Sequence, residues 1–330
     1  MRRTTFILGA GFSAAAGFPL VRGLRERVVN FIEADLHAAY ATFLQPGQGY
    51  TQGQFYEGLR LADPESKLAF EELLIALGRD CEHATPDDPR HTTLRVLRLG
   101  CVRLLWHRQK AIQQVSASYT NFAKRFFKSA EARDNTVITF NWELMMEKSL
   151  QDVAVPWQYT YSAGVIPIFK PHGSINWSSY LESGGRCDYE GWRVIAPQSK
   201  LSYDALQPLS DPDVDEVNPD FRYMLFPGDP ELPEKDLNLR LIWAEIEHVL
   251  EESEALVFIG YSLPEYDSYS AEVFQRHAAR KRIQVFNPSS EHLEQFRMKL
   301  GEHVQLFPQK FEDCPYAQVE ESTTCFEKRM

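Results

Sequence analysis

Five short runs along the chain are apolar or β-branched at most positions, and each stops at or near a turn-forming residue. They are Thr4–Leu8, Thr136–Phe140, Ile166–Lys170, Ala255–Ile259 and Arg282–Phe286. Runs of this length without polar alternation predict strands covered on both faces, as in a parallel sheet flanked by helices. Helical periodicity fills much of the space between the first two. Leu94, Leu97, Cys101, Leu104 and Leu105 recur at helical spacing, and Ile112, Val115, Tyr119, Phe122 and Phe126 do so again. About residues 30–130 therefore predict a helical insertion. Its basic residues (Arg95, Arg98, Arg103, Arg108, Lys124, Arg125 and Lys128) read most simply as a solvated helix face. About residues 174–236, rich in Pro and Asp, predict an irregular, loop-rich insertion, either overhanging a site or a surface excursion. The pattern is that of an α/β fold, one doubly wound, mainly parallel sheet spanning residues 1–330.

Composition narrows the classes. Hydrophobic residues make up 44% and charged residues 25%, which suits a globular chain with a sizeable core. A net charge of -11 argues against general nucleic-acid binding, which needs a local excess of Lys and Arg, so no direct nucleic-acid contact is expected. The five cysteines (Cys81, Cys101, Cys187, Cys314 and Cys325) form no Cys-x-x-Cys pair. Neither a zinc ribbon nor a disulfide framework is expected, and a reducing, cytoplasmic setting is. No uninterrupted apolar stretch reaches membrane-spanning length, so no membrane association is expected. Arg2 and Arg3 before the apolar N-terminal run superficially resemble a secretion signal. A nucleotide loop explains that run better.

The loop is Gly9-Ala-Gly11, at the end of the first predicted strand and before an Ala-rich, helix-compatible stretch. Strand, glycine turn and helix open a doubly wound, Rossmann-like nucleotide-binding fold, where backbone amides at the helix start can hold a pyrophosphate. The dehydrogenase fingerprint is incomplete. Ala14 occupies its third glycine position, and no clear strand-terminal acidic residue follows about 20 residues later. Hydride transfer is therefore disfavoured. Four further segments follow predicted strands: Thr139-Phe-Asn-Trp-Glu143, His172-Gly173, Gly260-Tyr-Ser-Leu-Pro-Glu-Tyr-Asp267 and Asn287-Pro288. Strand C-termini are where an open α/β sheet presents its ligands. The Asn141 carboxamide suits holding a ribose hydroxyl or a water, and an imidazole such as His172 titrates near neutrality and can accept a proton. Glu143 reads equally as a helix N-terminal carboxylate, and Asp267 as the cap of the following helix.

Extended to Arg22, the first segment resembles the sirtuin signature Gly-Ala-Gly-x-Ser-x-x-x-Gly-Ile-Pro-x-Phe-Arg. Gly9, Ala10, Gly11, Ser13, Gly17, Pro19 and Arg22 fall in register, while Phe18 and Val21 stand where the family has Ile and Phe. The segment holding Asn141 and Glu143 resembles the family's Thr-Gln-Asn-x-Asp, with Glu for Asp. His172-Gly173 resembles the dipeptide of the sirtuin catalytic histidine. Gly260 and Ser262 resemble the family's phosphate- and ribose-binding loop, and Asn287 its asparagine near the adenosine ribose. The longer form Lys170-Pro-His-Gly-Ser-Ile-Asn-Trp177 looks like the zinc-free bacterial branch.

The resemblance implies NAD as substrate, with Asn141 and His172 catalytic. Gly9, Ala10, Gly11, Ser13, Pro19, Arg22, Glu143, Gly260, Ser262 and Asn287 would bind it, and no metal is implied. In that branch the reaction is hydrolysis of the nicotinamide–ribose bond to ADP-ribose and nicotinamide, associated with antiphage defence by NAD depletion. Such relatives are usually restrained by homo-oligomerisation or by a partner such as a helicase-like ATPase or an Argonaute-like protein. Two other readings stay open: an NAD-dependent protein deacylase, and a non-catalytic module that senses NAD or ADP-ribose.

Overall fold

All five apolar runs are strands in the computed structural model, which describes residues 3–36, 52–85, 87–129, 134–181, 192–194, 222–227 and 237–316. They are β1 (Thr4–Leu8), β2 (Thr136–Thr139), β4 (Ile166–Phe169), β8 (Ala255–Ile259) and β9 (Arg282–Phe286). Two short strands that the apolar pattern does not announce, β3 (Trp157–Gln158) and β10 (Gln305–Phe307), complete the sheet. Its order is β10-β9-β8-β1-β2-β4-β3, and every pairing is parallel. β1 lies at the centre, in register with β2 through Phe6 and Val137 and with β8 through Phe6 and Val257. Every residue of β2, β4 and β8 is buried, so both faces are covered and unbroken apolar runs are what such strands require. The chain runs from β1 outward to one side and later returns to the other. That reversal places a topological switch point at the C-terminal end of β1, where open α/β sheets bind ligands. This is a Rossmann-like α/β architecture.

Helices bridge β1 and β2. A short α1 (Ala10–Ser13) and α2 (Val21–Phe31) follow the glycine turn, then α3 (Gln52–Ala62), α4 (Phe70–Cys81), α5 (Pro89–Ala111) and α6 (Ala117–Phe127). α5 starts where Pro89 cannot donate and the Asp88 carboxylate accepts from the Arg90 amide at 2.9 Å. The apolar stripe of α6 packs on the central strand. Phe122 meets Phe6 edge-on at 5.3 Å, and the Tyr119 hydroxyl donates to the Phe12 carbonyl at 2.7 Å. The basic residues of α5 are not all solvated, since Arg103 is buried and the Arg98 guanidinium lies over the Phe226 ring at 5.3 Å.

Four more helices follow: α7 (Met145–Asp152), α8 (Leu237–Glu252), α9 (Ser268–Ala278) and α10 (Ser290–Leu300). Within 174–236, read from sequence as loops, the described residues form most of a three-stranded antiparallel sheet, β6 (Trp192–Val194), β5 (Gly173–Leu181) and β7 (Arg222–Met224). The Ser-rich alternation of β5 is too polar to stand out from a loop, and its pairing partners are distant in sequence. The Pro- and Asp-rich run at 211–216 lies outside the described residues, as do Cys187 and Cys325. No helix among the described residues is long and apolar enough to cross a membrane.

Candidate functional site

Each segment singled out in the sequence sits at the same edge of the sheet, just past a strand. Gly9, Ala10, Ser13, Pro19, Asn141, Glu143, His172, Gly260 and Ser262 line one cavity, together with Asp267. Its apolar wall includes Phe18, Leu24, Leu105, Trp142 and Leu225. Gly11 and Asn287 do not line it. Arg22 falls in the first turn of α2, but its side chain lies outside the described residues.

The glycine turn is built against protein backbone. Gly9 N–H donates to the Ile259 carbonyl and Gly11 N–H to the Gly260 carbonyl, both at 3.0 Å. A Cβ on Gly9 would lie 2.6 Å from Tyr261 Cα, and one on Gly11 2.7 Å from Gly260 Cα. Gly260 itself has φ +63, the left-handed region that favours glycine. These glycines are therefore required where the loops after β1 and β8 touch, a steric reason that stands beside the expected approach to a pyrophosphate. Asn287 serves the same contact. Its carboxamide donates to the Tyr261 carbonyl at 3.0 Å and accepts from the Ser289 amide at 2.9 Å.

Ser13, Asn141 and Glu143 form one buried cluster. The Asn141 amide donates to the Gly9 carbonyl and to Ser13 Oγ, each at 2.9 Å, and the Ser13 hydroxyl donates to Glu143 Oε1. The other Glu143 oxygen accepts from the Met145 amide at the start of α7, so this carboxylate both braces the glycine turn and holds a helix N-terminus. Burial raises the Glu143 pKa, against the opposing influence of Lys170 and the Ser13 hydroxyl. Beneath it Lys170, wholly buried, donates to the Glu143 carbonyl at 2.6 Å and to Glu147 Oε1 at 2.9 Å.

His172 is held at both ends. Its carbonyl accepts from the Trp142 indole at 3.1 Å and from the Leu225 amide at 3.0 Å, the latter beside the β5–β7 pairing. Its ring packs edge-on against Phe140 at 4.9 Å, and its Nε2 lies 3.5 Å from Oδ2 of Asp267. Asp267 stands at the N-cap position of α9, yet its side chain makes no capping bond. It accepts instead from the Tyr261 hydroxyl at 2.6 Å. The cap expected from sequence is thus a partner of the histidine. Burial opposes ionisation of Asp267, but His172 and the Tyr261 hydroxyl outweigh it and hold the carboxyl at about 2.

Sequence reasoning missed Glu71, a buried carboxyl that reaches this cavity from α4. Burial raises its pKa, and its Oε2 has no hydrogen-bond partner among the described residues. No local signal marks it, because only helix packing decides which face of α4 meets the cavity. No group of three or more His, Cys, Asp or Glu among the described residues is arranged to hold a metal ion. Cys81 and Cys101 are free thiols.

The sequence matches no family model and no curated protein. Among solved structures the chain is similar to a protein studied for sirtuin substrate affinity, with 14% identity, a TM-score of 0.40, and coverage of 94% of this chain and 89% of that one. A Sir2 structure bound to a propionylated peptide gives 13% identity and a TM-score of 0.40, with the same coverage of 94% and 89%. A Sir2 homologue in complex with ADP-ribose gives 14% identity and a TM-score of 0.39, covering 94% of this chain and 87% of that one. At these scores the likeness decides neither fold nor function. The fold stands on the strand order.

Proposed function

We propose that this chain is an NAD glycohydrolase that cleaves the nicotinamide–ribose bond of NAD to ADP-ribose and nicotinamide. The observation that carries the reading is the convergence of Ser13, Asn141, Glu143 and His172 on one cavity at the switch point of the sheet. The lining also fits the chemistry. The Asp267 carboxylate, held ionised, gives it a negative charge suited to a ribosyl group that gains positive charge as neutral nicotinamide leaves. His172 would accept the proton of a ribose hydroxyl or of the attacking water. Asn141 would keep the turn after β1 in place beneath the ribose, through its bonds to Gly9 and Ser13. The apolar wall of Phe18, Leu24, Leu105 and Trp142 would bind the nicotinamide face and limit water to the reacting side. Water is favoured over an acyl-lysine as nucleophile because the sequence has no Cys-x-x-Cys pairs for a zinc-bearing peptide groove.

In the same reading the activity is a cytoplasmic antiphage effector that depletes NAD, held in check by homo-oligomerisation or by a regulatory partner such as a helicase-like ATPase or an Argonaute-like protein. Incubating purified protein with NAD and following nicotinamide by chromatography tests the chemistry, with and without the neighbouring gene's product. Asn141→Ala and His172→Ala are each expected to abolish release while the circular dichroism spectrum is kept. Full activity in either variant would sink the site assignment. Release that requires an acyl-lysine peptide would establish the deacylase instead, and tight NAD binding without release a sensing module.

A further inference from the structure

We infer that Asp267 is the positioning residue of His172, its buried carboxylate facing Nε2 at 3.5 Å and favouring the imidazole tautomer that carries its proton there. The inference rests on the glycohydrolase reading for its chemistry but on geometry for its assignment. Asp267 is wholly buried, and a buried carboxylate is tolerated only when paired and hydrogen-bonded. Its partners are Tyr261, whose hydroxyl donates to Oδ2 at 2.6 Å, and His172, whose Nε2 lies 3.5 Å from the same oxygen. An ionised carboxylate can only accept, so the imidazole tautomer that suits it carries its proton on Nε2. The lone pair of the neutral ring is then on Nδ1.

The surroundings fix this orientation from several sides. Phe140 stacks on Tyr261 with centroids 4.4 Å apart and planes at 19°, and meets the His172 ring at 79°. One aromatic ring therefore sets both the phenol that holds Asp267 and the imidazole that faces it. The step balances without a further reagent. Water adds its oxygen to the anomeric carbon, nicotinamide leaves with the bonding electron pair, and the water proton passes to the His172 imidazole. The imidazolium so formed is opposed by the Asp267 charge, and Asp267 itself takes no proton. The proton is released to solvent when the site reopens.

The test begins with ¹⁵N NMR of histidine-labelled wild-type protein, assigning His172 by its loss in His172→Gln. A neutral ring protonated on Nε2 supports the assignment. A neutral ring protonated on Nδ1, or one still fully charged near pH 9, overturns it. In nicotinamide release, Asp267→Asn is expected to lower kcat by about 10²–10⁴-fold with KM within about twofold, because only orientation and charge compensation are lost. Tyr261→Phe, which removes one hydrogen bond, is expected to fall in between and serves where the Asn variant does not fold. Unchanged kcat in Asp267→Asn overturns the inference. Should the wild type release no nicotinamide, the proposed activity fails while the NMR result still decides the pairing.

Discussion

A single methyl group at residue 260 probes how this site is assembled. Gly260 has φ +63, and a Cβ there would lie 2.4 Å from the Phe12 nitrogen and 2.5 Å from Gly11 Cα. Both are backbone atoms, so no side-chain rotation relieves the overlap. The left-handed conformation costs a non-glycine residue about 1–2 kcal/mol, and overpacking adds roughly 1–3 kcal/mol. Gly260→Ala is therefore expected to lose about 2–5 kcal/mol of stability. Gly9→Ala supplies the control. Gly9 has an ordinary φ of −124, while its Cβ would lie 2.6 Å from Tyr261 Cα, so only the packing cost applies, roughly 1–3 kcal/mol. The difference between the two variants isolates the backbone conformation. Urea unfolding followed by circular dichroism reads both, with nucleotide affinity measured in parallel. If both variants unfold within about 0.5 kcal/mol of wild type and lose only nucleotide affinity, the reasoning is refuted. The glycines would then serve the ligand and not the contact between the β1 and β8 loops.

Two further perturbations test the frame around the site. Asp63 accepts from Arg25 and from the amides of Lys67 and Leu68 at 3.1 and 2.9 Å. Burial works against its ionisation, yet these donors hold its pKa below the ordinary 3.8. A depressed pKa contributes stability that is full above the unfolded value and is lost as pH falls through the folded one. Asp63→Asn is expected to cost about 1–2 kcal/mol at neutral pH and progressively less below about pH 4, read from urea titrations across that window. Lys170→Met strands the wholly buried Glu147 and is expected to cost about 3–5 kcal/mol. Pairing it with Glu147→Leu is expected to recover most of that loss, and a double-mutant cycle with no coupling would count against the buried pair.

The core strands were legible because residues in a covered parallel strand have no solvent face, as throughout β2, β4 and β8. β9 does alternate, with Arg282 exposed and Gln284 half-buried, and its Ile283, Val285 and Phe286 still mark it. The placement of Asn141, His172 and Gly260 was legible for the same reason. Each follows such a run, and in a parallel sheet the C-terminal ends share one edge. What those residues touch was not legible. The Ser13–Glu143 bond joins positions 130 apart, and His172 meets Asp267 only because β4 and β8 lie on opposite sides of β1 in one sheet. Periodicity reports how each segment is buried, not which segments become neighbours. β3 and β10, two and three residues long, were too short to register, and the β5 sheet was hidden by its serines. Glu71 entered the cavity through the packing of α4, which no local pattern encodes. Sequence by itself determined the α/β class and the sheet edge at which these segments gather. Tertiary structure decided that the glycines serve a loop contact, that Asp267 faces a histidine, and that a buried carboxyl from a helix completes the wall.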